Sequence, residues 1–277
     1  MVENVSKKHH FVPVFYQKGF LSDQGELYAY KKKFGGIKDW TPSQILYQEH
    51  LHTVSMGSEK TVMIEQFLSQ IEGKFKEYLS FIEDNLTNPD LVKLLIDDEN
   101  FQRVAKLMVS MQFWRTPCKR QLAVEYSKNL VEQFDKVDDE IKEMLGHDRK
   151  FVRFLQKRAN KDDSIKFIQF VLLPLLTFDL SKKVSNLKLF RVNGTEKLVT
   201  SDRPVIFDDL DALFDFKMFM FPFTKDLLLV GTDKDTKALS IKTVNHLIAR
   251  KALDVVLSGS KAQLEDIKSY SQSIQAV

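Results

Sequence analysis

The chain reads as an α+β protein, with short strands at the N-terminus, a helical middle, and antiparallel strands towards the C-terminus closed by a final helix. Three patterns lead there. Between about 57 and 180, apolar residues recur at three- and four-residue spacing. Before 56, and again between about 184 and 232, they fall in short alternating runs bounded by Gly, Asn and Pro. Strict strand–helix alternation and a glycine-rich phosphate loop are both missing, which argues against a nucleotide-binding parallel sheet. The 277 residues are read as a single domain in three consecutive segments, 1–56, 57–180 and 181–277.

In the first segment Ser22-Asp23-Gln24-Gly25 signals a turn, Glu26-Leu27-Tyr28-Ala29-Tyr30 a short strand, and Phe34-Gly35-Gly36 a second turn. Trp40-Thr41-Pro42-Ser43 opens a short helix carrying Ile45, Leu46 and Tyr47. In the second segment Ser58 precedes Glu59 at a helix start, and Val62, Met63, Phe67, Ile71, Phe75, Tyr78, Leu79 and Ile82 mark the buried stripe. Asn88-Pro89 breaks that helix, Phe101, Val104, Ala105, Met108 and Met111 form a second stripe, and Pro117 ends or opens a helix. Two further helices are expected over 149–178. In the third segment Leu187–Val192 alternates, and Asn193-Gly194 predicts a hairpin with Lys197–Thr200 as the returning strand. Phe216–Phe221 and Leu227–Val230 are further strands, and a closing helix runs from Ile241 to Val256, with Gly259 after it.

Composition narrows the function classes. Hydrophobic residues make up 43% and charged residues 29%, and the 22 phenylalanines allow a large aromatic core. The net charge of +3 is compatible with a nucleic-acid partner without requiring one. Cys118 is the only cysteine, so an intrachain disulfide is excluded, and so is a cysteine-based zinc site unless histidines and carboxylates supply the other ligands. The longest apolar run, Phe167 to Phe178, is interrupted by Gln169 and Pro174 and is too short to span a bilayer. The N-terminus lacks the apolar stretch of a signal peptide, and a cytoplasmic protein without membrane contact is expected. Composition does not set the oligomeric state.

The most unusual stretch is Lys8-His9-His10-Phe11-Val12-Pro13-Val14-Phe15-Tyr16-Gln17-Lys18-Gly19-Phe20, which holds two of the six histidines. Neighbouring residues of an extended chain point to opposite sides, so one imidazole is expected inward and the other outward. Either an acid, base or ligand role, or a buried histidine pinning the strand, fits the pattern. A nuclease motif of the HNH type would need an asparagine and a further histidine close by. His50 and His52 are the nearest candidates, and no asparagine lies between positions 10 and 52.

Extending the second stripe brings Gln112 and Arg115 onto a core-facing surface, where their polar groups need partners. Arg115 suits a phosphate or carboxylate, or a bridge to Glu59, Glu65 or Asp202. Asp202, in Thr200-Ser201-Asp202-Arg203-Pro204, is a metal ligand, a base or a turn cap. Asn245 sits on the apolar side of the closing helix and suits a loop clamp or a ligand contact. Residues 149–161 hold six basic and no acidic side chains. On a helix, Arg149, Arg153, Lys157 and Lys161 form a ladder suited to phosphates, or to the acidic run Asp138-Asp139-Glu140 before it.

These residues resemble domain-of-unknown-function family 4238. The resemblance rests on the HH-x-x-P opening, Ser58-Glu59 with Ile64-Glu65, Gln112 to Pro117, Ser201 to Val205, Phe221-Pro222-Phe223-Thr224 and Asn245, in that order over nearly the whole chain. Gln17, Arg203 and Phe223 depart from the usual Leu, Asn and Leu of that pattern. The resemblance implies a bacterial-type cytoplasmic protein and carries no activity with it.

Burying scattered polar residues singly is costly, so convergence in one pocket is expected. The expected function is a phosphodiester hydrolase, nuclease-like and of a defence or toxin-like system, acting on nucleic acid. His9, His10, Glu65, Gln112, Arg115 and Asp202 form its catalytic set, and Arg149, Arg153, Lys157, Lys161 and Asn245 bind substrate. A divalent metal fits His10, Glu65 and Asp202. The alternative is a non-catalytic nucleic-acid- or ligand-binding module with a structural polar network.

Overall fold

The computed structural model describes residues 7–56, 59–61, 63–161, 163–180, 186–232 and 240–275. The chain is α+β, as its patterning predicts. It forms two compact units, and neither is a consecutive stretch. The first takes residues 1–9, 48–185 and 214–216, and the second takes 10–47, 186–213 and 217–277. Among the described residues no helix is long and apolar enough to cross a membrane.

The first unit is mainly helical. Helix Met63–Asp84 buries Ile64, Leu68, Ile71, Phe75, Leu79 and Ile82, a stripe of three- and four-residue steps. Each such side chain contributes roughly 1.5–3 kcal/mol when removed from water. That stripe packs on helix Glu99–Arg115, which is buried almost all round and serves as the unit's central rod. Local chemistry sets its start: the Asp98 carboxylate accepts from the Phe101 amide at 2.8 Å. The short helix before it, Pro89–Asp97, has Pro at its first position and the Asn88 side chain as its cap. The predicted break at Asn88-Pro89 is therefore where one helix gives way to the next. Phe113, Trp114, Tyr126, Phe178 and Phe214 pack edge to face around the end of the central helix.

The segment Ser164–Leu176 is helical with a π-helical stretch over Ile168–Leu172. Such stretches place a side chain off the regular helical face and often mark functional sites. Gln169 uses that placement to donate from Nε2 to the Trp114 carbonyl at 2.8 Å and the Thr116 carbonyl at 3.2 Å, closing the C-terminal end of the central helix.

The second unit holds two four-stranded antiparallel sheets. One runs Gly36–Asp39, Tyr28–Lys31, Val255–Ser258, Thr200–Ser201. The other runs Leu187–Arg191, Leu227–Gly231, Phe219–Thr224, Ile206–Phe207. Helices Ile241–Lys251 and Lys261–Gln275 pack on each other, and the second also packs on the first sheet.

Several elements differ from the expectations, each for a local reason. Val14–Lys18 is a helix within the segment read as strands and turns, because Pro13 fixes its entry and its carbonyl accepts from the Gln17 amide at 3.0 Å. Of the expected helix start at Ser58-Glu59, Ser58 lies outside the described residues, while Glu59–Thr61 is a strand paired with Val54–Met56. Pro42–Gln44 makes one 3₁₀ turn only, since Ile45 is extended and Leu46 has φ of 57°. The Asn193-Gly194 hairpin does not form: Leu187–Arg191 pairs with Leu227–Gly231, and Thr200–Ser201 pairs with Val255–Ser258. Longer-range pairing partners override the turn signal there. The strand expected from Phe216 starts at Phe219, because Phe216 and Met218 take positive φ. The helix expected to reach Val256 stops at Lys251, and β-branched Val255 and Val256 enter a central strand.

Candidate active site

Two clusters of buried polar residues stand out, one in each unit. In the first unit the strand Lys8–His10 alternates exposed, buried and half-buried, so His9 turns inward as period two requires. The His9 ring stacks on His52, with centroids 5.2 Å apart and planes 6° from parallel. Its Nδ1 accepts from the His52 amide at 2.9 Å. An acceptor at Nδ1 places the proton of the neutral ring on Nε2.

His52 belongs to the loop that enters the strand Val54–Met56. Lys166 anchors this loop by donating to the carbonyls of His50 at 3.3 Å and Thr53 at 2.8 Å. The edge of Phe170, from the π-helical stretch, closes on the His52 ring at 4.8 Å between centroids. His52 Nδ1 donates to the Glu65 carboxylate. Its other nitrogen, Nε2, is buried and has no hydrogen-bond partner among the described residues.

Glu65 stands in the first turn of Met63–Asp84. Glu72 follows seven residues later, about two turns on, and so shares its face. Glu72 pairs with Nη1 of Arg115, the last residue of the central helix. Arg115 is 5% exposed, and its Nε lacks a partner among the described residues. Gln112, one turn earlier on the same helix, is also buried.

The charge states follow from these contacts. Burial pushes the His52 imidazole down to about 4, with Glu65 opposing and Arg115 and His9 reinforcing. Burial raises the Glu65 carboxyl, but its bond to His52 and the nearby Arg115 outweigh that and hold it below the usual carboxylate range. The pair is therefore a neutral imidazole against an anionic carboxylate. A carboxylate on one nitrogen fixes the tautomer and turns the lone pair onto the other. That lone pair accepts a proton or ligates a cation.

The second cluster does local work within the second unit. The Asp202 carboxylate accepts from three successive backbone amides, Leu253 and Asp254 at 2.8 and 2.7 Å and Val255 at 3.0 Å. Burial raises its carboxyl even so, against the pull of those amides. Asn245 clamps a loop by accepting from the Val199 amide at 3.0 Å and donating to the Lys197 carbonyl at 2.8 Å. His10 is half-buried, within 3.3 Å of the Ser43 carbonyl and tilted against Tyr47. Tyr16 donates to the Pro222 carbonyl at 2.6 Å and meets the Thr200 hydroxyl at 3.0 Å. Gln17 Nε2 donates to the Val12 carbonyl at 2.8 Å.

Of the expected catalytic residues, His9, Glu65, Gln112 and Arg115 thus fall in the first unit, and His10 and Asp202 in the second. The basic ladder also lies in the first unit. Helix Arg149–Arg158 exposes Arg153 and Lys157, and Phe154, at 47% exposure, has the Arg158 guanidinium over its ring at 5.3 Å. Arg149 is engaged by Asp135 through two 2.7 Å bonds, and Lys161 follows the helix, exposed. Asn245, grouped with these for substrate, is in the second unit.

The sequence patterns do not single out His52, Glu72, Gln169 or Phe170 as a group. The available signal for His52 is its place in His50-x-His52 ahead of a helix carrying Glu65. Nothing in the spacing signals Glu72, because the stripe of that helix is apolar. Among known protein families, the model of a family of unknown function, DUF4238, matches residues 8–262. No curated protein and no solved structure matches the chain.

Proposed function

The chain belongs to the DUF4238 family, and from that premise we propose that it is a nuclease-like phosphodiester hydrolase whose reaction centre is His9, His52 and Glu65, with Arg115 as the phosphate-holding group. The observation that carries this reading is the His52 imidazole, tied to a carboxylate on one side and, among the described residues, left with a buried, unpartnered nitrogen on the other. Phosphodiester hydrolysis needs an activated water, a group for the charge developing on phosphorus-bound oxygen, and a proton for the leaving oxygen. His52 with Glu65 supplies the first function. Arg115 suits the second, its buried Nε being a donor without a partner among the described residues. His9, with its proton on Nε2, suits the third.

A nucleic-acid substrate is supported by helix Arg149–Arg158, which exposes Arg153 and Lys157 and carries the half-exposed Phe154 beside Arg158. Cations for phosphates beside an exposed ring for bases is the arrangement of single-strand binders. In this reading His10, Asp202 and Asn245 are structural residues of the second unit. A second reading, a non-catalytic module with a structural network, is favoured by the burial of both imidazoles, His9 at 2% and His52 at 1% exposure. Incubating labelled RNA and DNA with the full chain separates the two. The hydrolase cleaves at least one of them and loses that cleavage in the His9→Ala, His52→Ala double variant. Cleavage that persists in a folded double variant removes the histidines from the reaction.

A further inference from the structure

His9, His52 and Glu65 do more than orient one another. Each offers one donor atom such that the three atoms all lie within 4.8 Å of one another. We propose that these three residues form a binding site for a divalent first-row transition ion of the zinc class. The site keeps Glu65 from the set His10, Glu65 and Asp202 suggested by the sequence and takes His9 and His52 beside it.

The donor chemistry selects the ion. Two imidazoles and one carboxylate suit zinc and its neighbours, whereas calcium and magnesium prefer all-oxygen sets. Three protein ligands leave a coordination position open, as in sites that activate water; closed structural zinc sites use four. The imidazoles are buried, at 2% and 1% exposure, and the Nε2 of His52 has no partner among the described residues. A buried nitrogen lone pair without a donor is a destabilising arrangement that a cation relieves. The nearby guanidinium of Arg115 does not oppose the ion strongly, because Glu72 pairs with it. Loading displaces two contacts: the His52 amide now donates to His9 Nδ1, and His52 Nδ1 to the Glu65 carboxylate, which must leave that bond to join His52 Nε2 on the ion. The loss of two hydrogen bonds is small beside a set of metal–ligand bonds.

The site deepens the hydrolase reading: with His52 Nε2 engaged, activation of the water would pass from the His52–Glu65 pair to the bound ion, and only that chemical role rests on that reading. The test uses tag-free full-length protein, stripped with chelator and dialysed. Zn²⁺ binding is followed by calorimetry, and Co²⁺ substitution by its visible absorption. The expected result is about one ion per chain and the intense bands of low-coordinate cobalt. Glu65→Gln is expected to weaken Zn²⁺ by more than the roughly 10–100-fold that removal of an outer partner costs. His52→Ala abolishes binding, and His10→Gln leaves it unchanged. Circular dichroism of each variant confirms the fold, and Glu65→Gln, which keeps size and a hydrogen-bonding group, covers the case in which His52→Ala unfolds. Absence of binding by folded wild-type chain overturns the proposal, as does binding unaltered by Glu65→Gln. Metal bound without cleavage of any nucleic acid sinks the hydrolase reading and keeps the site. Cleavage by chelated, metal-free chain keeps the hydrolase reading and removes the ion from its reaction.

Discussion

Side chains here solve their polar problems by fixing one another's protonation. Glu65 holds the proton of His52 on Nδ1, and the His52 amide holds that of His9 on Nε2. This makes a pH prediction. Burial lowers the folded His52 value to about 4 from an ordinary 6.5. Below about pH 6.5 the unfolded chain takes up a proton that the folded chain refuses, so stability is full above that value and falls as pH drops towards 4. The shift corresponds to about 3 kcal/mol. Urea midpoints across this range should decline for wild type and stay flatter for His52→Gln. Equal slopes would show that His52 titrates normally in the fold. At Gly259, a Cβ would enter the Leu21–Ser22 backbone, within 2.8 Å of Ser22 Cα. Gly259→Ala should cost about 2 kcal/mol by overpacking, read as a lower urea midpoint. That glycine reads in the sequence as the end of a helix. Its true constraint, a chain crossing more than 230 residues away, has no local trace.

At the level of elements, what could be read from the sequence followed from periodicity and capping. The stripe of Met63–Asp84, the Asn88-Pro89 break and the inward turn of one histidine in the opening pair all rest on local rules, and the structure has them. What failed needed distant partners. Asn193-Gly194 makes no hairpin because Leu187–Arg191 finds Leu227–Gly231. The helix from Ile241 stops short because Asp202, about fifty positions earlier, gathers the amides of Leu253, Asp254 and Val255. Asp202→Asn turns part of that acceptor into a donor facing amides. It should cost about 2–3 kcal/mol, seen as a lower Tm and faster amide exchange at Val255. If exchange there is unchanged, the carboxylate is not what ends the helix. The π-helical stretch was likewise hidden, since Phe167 to Phe178 is apolar through most of its run, and only Gln169 hints at a special role.

Over the whole molecule, the scattered motifs divide between the two units. The histidine of the opening segment, Glu65 and the Gln112–Arg115 turn belong to the first unit, while Tyr16, Asp202, Pro222 and Asn245 belong to the second. Within the second unit they tie loops and strands together. The sequence shows which residues need company but not how they divide, because the chain passes between units five times. The first unit also carries the exposed cations, which gives a binding prediction. An Arg153→Ala, Lys157→Ala variant should bind single-stranded RNA more weakly whatever its sequence. Its affinity should fall less steeply with salt, the slope shrinking by about 0.7 for each phosphate no longer neutralised. An unchanged slope would place nucleic acid elsewhere. The centre itself is tested most directly by the rate of hydrolysis of a chromogenic phosphodiester by wild type, Glu65→Gln and His10→Gln. The account predicts a fall of about a hundredfold or more in kcat/KM for Glu65→Gln, in line with removal of a group that orients a catalytic base, and no change for His10→Gln. Hydrolysis by wild type that Glu65→Gln leaves intact, or that His10→Gln abolishes, would contradict it.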